Sequence, residues 1–249
     1  MKKYTLTLLL TAAPLFAGTP APVASAPQYN SEQGWILGVE PMALRPYQSE
    51  GRYNQNTYEF AGRGTIGYQF ADGLAIKASY FGYGSDITPY AGASGRVSVS
   101  DIDLVVSQDF KPSEGFKLTP FVGLDWATFN EGYSTSSTAT GTKFSGLGLV
   151  AGVDVTRALG NSFSLYGNAK ESIVFGTTDE NYTRSSQTST DRVLFITQVG
   201  LGVQYDYCFS NVAANFRLGV EGQWYGGASN TDSENTGLAG FVLGANFRF

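Results

Sequence analysis

The sequence has no histidine and a single cysteine, Cys208, in 249 residues. Without His, the usual general base for an activated Ser or Cys is missing, and so is the commonest metal ligand. One Cys permits neither an internal disulfide nor a thiolate zinc site. Charge is sparse at 15%. The apolar run Thr5 to Phe16 (TLTLLLTAAPLF) is twelve residues long, too short to cross a bilayer as a helix. What is plentiful is Gly (31), Phe (17) and Tyr (15). The mean hydropathy of -0.11 resembles that of a water-soluble chain.

The N-terminus reads as a secretory signal. Lys2 and Lys3 precede the apolar run, and Ala24-Ser25-Ala26 offers a small-residue exit, with cleavage after Ser25 or Ala26. The expected organisation is a signal peptide over 1–26, a short periplasmic segment over 27–33 and a barrel over 34–249. The whole chain carries -5; loss of the leader removes two lysines and no acid, leaving -7. That balance argues against nucleic acid and anionic lipid as partners. At the other end, Gly237 to Phe249 (GLAGFVLGANFRF) alternates. Phe241, Leu243, Ala245, Phe247 and the terminal Phe249 share one phase, the pattern of a strand that signals to the barrel-assembly machinery.

The same period of two runs through the chain. It marks strands over Trp35–Leu44, Tyr58–Phe70, Leu74–Tyr80, Ile102–Phe110, Phe116–Trp126, Leu147–Thr156, Phe163–Phe175, Val193–Asp206, Val212–Trp224 and the tail. Short turns near 71–73, 111–115, 158–161 and 209–211 alternate with longer polar links near 45–56, 87–95, 131–141, 177–190 and 227–236. This layout predicts an all-β, transmembrane, antiparallel up-and-down β-barrel of about 10 strands, with 8 or 12 as alternatives. The segments are longer than soluble strands of roughly five to six residues. Aromatics gather at strand ends: Trp35, Phe110, Phe116, Phe163, Tyr207 and Phe249 by the short turns, Trp126 and Trp224 toward the long links.

The polar phase is expected to line the lumen. It carries eight acids (Glu40, Glu59, Asp101, Asp103, Asp125, Asp154, Asp206, Glu221) and six bases (Arg63, Lys77, Lys117, Lys170, Arg217, Arg248). Near-balance implies a network of ion pairs rather than a ring of one sign, since a lone desolvated charge costs several kcal/mol. Asp101 and Asp103 form a same-face carboxylate pair that could serve acid–base chemistry. Beside Lys77 on the neighbouring strand they read better as lumen counter-charges. Glu171 alone falls on the apolar phase, so either a bulge resets the register there or that end lies above the bilayer. The Gly146–Gly152 run has no Lys at phosphate-loop spacing and suits close packing or curvature. Cys208 sits at a short turn, on the periplasmic rim.

Several stretches resemble a known family: Gly34 to Pro46 (GWILGVEPMALRP), Asp101 to Phe110 with Leu118 to Ala127, Gly146 to Gly176 and Gly202 to Gly222. They are similar to the pore-forming outer-membrane proteins typified by the Legionella major outer membrane protein, most specifically in the run Leu159 to Asn168. The resemblance implies a porin-like β-barrel of the bacterial outer membrane with no cofactor. Asp125, where a basic residue is expected, and Glu171, in a usually small apolar run, depart from that pattern. The expected function is passage of ions and small solutes through a narrow polar lumen. The alternative is a plugged structural or adhesin-type barrel acting through its surface loops, because ten strands lie near the closed end of the size range. Neither reading includes an enzyme: catalytic, cofactor and metal residues are none, and enzymatic outer-membrane barrels use an active-site His. Outer-membrane lipid is the expected surrounding.

Overall fold

In the computed structural model of the chain, residues 33–48, 57–87, 94–134, 139–182, 188–209, 212–227 and 235–249 are described. The expected signal peptide over 1–26 and the central parts of the five long links lie outside the described residues. The strands are β1 (Gly34–Gln48), β2 (Glu59–Gln69), β3 (Leu74–Ile87), β4 (Ser94–Gln108), β5 (Phe110–Ser113), β6 (Phe116–Ser134), β7 (Ala139–Gly160), β8 (Phe163–Tyr182), β9 (Thr188–Phe209), β10 (Val212–Gly226) and β11 (Thr236–Arg248). Every pairing is between antiparallel neighbours. β1 also pairs with β11, and β4 with β6, so the sheet closes on itself as a ten-strand barrel. The four-residue β5 is a rim hairpin piece that pairs only with β6.

Closure is what lets this backbone sit in lipid, because no strand edge is left with unpaired amides. The first and last strands meet at the short-turn end, where Trp35 and Phe249 exchange backbone hydrogen bonds of 2.8 and 3.1 Å. Alternation sends one side chain in two outward. Phe60, Leu149 and Leu201 are 75%, 63% and 61% exposed on the outer wall, and together with their neighbours they form an apolar belt. Trp35, Phe163 and Tyr207 face outward at its short-turn edge, Trp126 and Trp224 at the other. The unremarkable mean hydropathy is thus an average over two opposite faces.

The strands outrun the segments expected from sequence. β7 and β9 each have 22 residues, about 70 Å at a rise of ~3.3 Å per residue, whereas a tilted strand crosses the hydrocarbon in roughly ten. The polar links expected near 131–141 and 177–190 are therefore largely strand. Thr and Tyr suit a pleated ladder as well as a loop, and Tyr133 pairs with Thr140 in unbroken register.

Glu171 corrects both sequence expectations. Register runs without a bulge through Ala151, Glu171 and Thr197, so no reset occurs. Nor does the residue rise above the belt: Ile173 and Phe175 lie beyond it on the same outer face, Leu165 below. Its carboxylate accepts a hydrogen bond from Thr197 Oγ1 at 2.7 Å. A carboxylate facing lipid is unfavourable, though less so than a basic group. Glu171→Leu is expected to raise the unfolding free energy by about 1–2 kcal/mol, read as a higher urea midpoint in micelles.

Candidate functional site

Seen from the short-turn end, the inside of the barrel has three levels. The first is an open polar vestibule of about 890 Å³, whose lining includes Lys77, Asp109, Lys117, Asp154, Arg217 and Arg248. Arg248 donates to Gln69 Oε1 at 2.9 Å, Arg217 Nε to Gln204 Oε1 at 2.9 Å, and Gln204 Nε2 to Asp206 at 2.6 Å. Lys77 pairs loosely with Asp154 at 3.9 Å. Cys208 also faces this mouth as a free thiol. Asp109, in the turn before β5, was not among the charges expected from sequence. It accepts from Thr119 Oγ1 at 2.6 Å and Gln69 Nε2 at 3.0 Å, with Lys117 Nζ at 3.5 Å. Burial pushes the Asp109 carboxyl up, but the Lys117 ammonium and these hydrogen bonds outweigh it and hold the group below the ordinary carboxylate range. A depressed carboxylate stabilises above its unfolded value near ~3.9 and loses that contribution as pH falls through the folded value. Asp109→Asn is therefore expected to lower the urea midpoint at pH 7, and the gap to wild type closes only below about pH 4.

The second level is a charged layer. On one side, Arg63 from β2 donates to Glu40 of β1 at 2.8 Å, to Glu221 of β10 at 2.7 and 3.1 Å, and to Gln198 of β9 at 3.2 Å. On the other, Lys170 from β8 donates to Asp101 Oδ2 at 2.6 Å and Asp103 Oδ2 at 2.7 Å on β4. Asp125 of β6 stands 4.0 Å from the same ammonium. Asp101, Asp125, Glu221 and Lys170 are buried. The inward glycine Gly148 keeps the wall flat here, since a Cβ on it would sit 2.0 Å from the Ile173 carbonyl oxygen.

The third level, toward the long links, is mainly apolar, with Ser85, Glu131, Thr178 and Thr236 buried beside the apolar side chains. Met42, Leu44, Ala61, Phe81, Tyr83, Ile87, Val97, Val99, Ala127, Phe129, Phe144, Val174, Leu194, Ile196, Tyr225, Leu238 and Val242 form one buried cluster. All ten barrel strands contribute to it. Leu44, Val97, Phe144, Val174 and Leu194 are 0% exposed. The plug and the charged layer are joined: Arg63 stacks on the Phe81 ring at 5.5 Å, and Tyr225 donates to Gln223, which donates to Glu221.

The profile of the family described as Legionella pneumophila major outer membrane protein precursor matches residues 26–249. The chain belongs to that family. A search of curated protein sequences finds no match. Among solved structures, the Legionella-type barrel is similar to the outer membrane protease OmpT of Escherichia coli. Identity is 10%, covering 88% of this chain and 97% of that one, with a TM-score of 0.58. A major outer membrane protein of Thermus thermophilus follows at 15% identity, covering 86% and 99%, TM-score 0.44. The Ail attachment protein of Yersinia pestis matches at 11% identity, covering 88% and 100%, TM-score 0.39. These likenesses concern the fold alone. The Legionella family protein is an outer-membrane β-barrel, its belt in contact with bacterial outer-membrane lipid.

Within this family member the fourteen charges expected in the lumen fall in different places. Glu40, Arg63, Glu221, Lys170, Asp101, Asp103 and Asp125 are gathered in the middle layer, with Arg217 3.9 Å from Glu40. Lys77, Lys117, Asp154, Asp206 and Arg248 stay in the vestibule. Glu59 lies at the opposite end of β2. The partner expected for Asp101 and Asp103 is corrected: the ammonium that meets them is Lys170, across the lumen, rather than Lys77. The lumen is polar over only part of its length. Sequence reasoning missed the plug, whose signal was the loss of alternation in runs such as Val193-Leu194-Phe195-Ile196.

Proposed function

We propose that this protein is a closed, structural outer-membrane barrel that acts through its extended strand ends and connections at the cell surface. The observation that carries this reading is the apolar plug, to which every barrel strand contributes and which fills the bore above the charged layer. The porin-like reading draws on the polar vestibule; in it, ions cross only after side chains such as Phe129 and Phe144 have moved. Neither assigns a reaction: Asp101 and Asp103 are engaged by Lys170 beneath the plug. The C-terminal strand, with Phe241, Leu243 and Phe249 turned outward, is the surface offered to the assembly machinery. Export is by the leader over 1–26, which N-terminal sequencing of the mature protein checks. In planar bilayers, refolded wild-type protein is expected to be electrically silent; stepwise, ohmic openings would overturn the closed-barrel reading in favour of a pore.

A further inference from the structure

The charged layer leaves one part of itself unbalanced. Three carboxylates, Asp101, Asp103 and Asp125, face a single ammonium, Lys170. Asp103 and Asp125 are moreover directly opposed across the β4–β6 ladder, where like charges repel. Lys170 occupies one oxygen each of Asp101 and Asp103. Asp101 Oδ1, Asp103 Oδ1 and both oxygens of Asp125 have no hydrogen-bond partner. A second observation comes from β8, two residues beyond Lys170. Ser172 is 0% exposed, its Oγ is likewise unpartnered, and it is turned toward the Asp125 carboxylate. Four buried carboxylate oxygens on three side chains thus have the Ser172 hydroxyl turned toward them and no hydrogen bond of full geometry among the described residues. A proton could join two of them; a cation can engage one oxygen of each aspartate at once.

We propose that Asp101, Asp103, Asp125 and Ser172 form a calcium site that fills from the vestibule, with Lys170 as its fixed neighbouring charge. The donor set is oxygen only, which selects a hard cation and disfavours zinc or copper. One oxygen from each of the three aspartates lies within 4.8 Å of the others. Those separations fit inside the ~4.8 Å across a shell with Ca–O of about 2.4 Å. Two positive charges neutralise the local excess of two negative ones. Access is from the short-turn end: Asp103 and Lys170 line the vestibule, while the plug seals the other side.

The test uses the full mature chain refolded in zwitterionic micelles and stripped with EDTA. Titration with CaCl₂ is followed by calorimetry, and with TbCl₃ by luminescence excited through Tyr225 in the adjoining plug. One ion is expected to bind per chain. Asp125→Asn is expected to weaken binding by about tenfold or more, since affinity follows the number of charged ligands; Ser172→Ala weakens it less. Circular dichroism and heat-modifiable gel migration establish that each variant is folded, and Ser172→Ala carries the comparison if Asp125→Asn does not fold. Absence of saturable binding in folded wild type overturns the proposal. So does unchanged affinity in a folded variant, which places the ion elsewhere. If Asp125→Asn in EDTA is more stable than wild type, and wild type ignores calcium, the oxygens share a proton instead and the site is refuted.

Discussion

Lys170→Met is expected to cost the barrel about 3–5 kcal/mol, the usual penalty for leaving buried charges without their partner. The reason is geometric: its Nζ lies 2.6 and 2.7 Å from Asp101 and Asp103 and 4.0 Å from Asp125, and the ammonium is 7% exposed. No other ion pair to these three aspartates is found among the described residues. Urea unfolding in micelles, with the slope held constant, reads the loss as a shift of the midpoint. The double substitution Lys170→Met with Asp103→Asn is expected to recover part of it, because the residual charge is smaller. Lys77→Met is the control. Its contact with Asp154 is 3.9 Å long and partly open to water, so its loss is expected to stay below about 1 kcal/mol. Equal effects of the two lysine variants would disprove this ranking.

Phe129→Ala is the second large effect, also about 3–5 kcal/mol, the range for truncating a buried aromatic. Phe129 is 2% exposed and lies against Tyr225, with ring centroids 6.0 Å apart. Strands held in a closed ladder cannot collapse into the gap, so the full cavity cost is expected to remain. Phe60, 75% exposed on the outer wall, gives the contrast. In micelles, Phe60→Ala exchanges one apolar contact for another with detergent and is expected to shift the midpoint far less. A midpoint for Phe129→Ala within error of wild type would show that the plug is not packed.

The ten barrel strands were legible in the sequence because one neighbour is constant along every strand. Lipid demands an apolar residue at each second position, and Leu147 and Leu149 on β7 and Val199, Leu201 and Val203 on β9, the two neighbours of β8, supply it. The plug was not legible for the converse reason. Around Leu194 both faces of the strand are apolar and the period of two disappears, while at Ile87 and Val97 it persists with its phase inverted, the apolar side chains inward and Asp86, Arg96 and Ser98 on the other face. A polar lumen was inferred from the parts of the strands that still alternate. The partner of Asp101 and Asp103 was missed because Lys170 lies 69 and 67 residues away on the facing wall. Who faces whom across a bore is set by the stagger of the whole barrel, which neighbouring-strand reasoning does not contain. Glu171 was visible as an exception, but its resolution required the register that sets Thr197 opposite it.

The bridge from Arg63 joins β2 to β1 and β10, and spans 158 residues to reach Glu221. Lys170 likewise reaches across from β8 to β4. None of these charges finds its partner within a single hairpin, apart from Arg63 with Glu40. A curved sheet that has entered the membrane but not yet met its other edge would therefore hold naked carboxylates against lipid or trapped water. Of these bridges, Arg63 with Glu221 crosses the seam between β1 and β11, so it forms only when the first and last strands meet. Closure in this protein thus brings an ion pair together across the seam as well as a ladder of backbone hydrogen bonds.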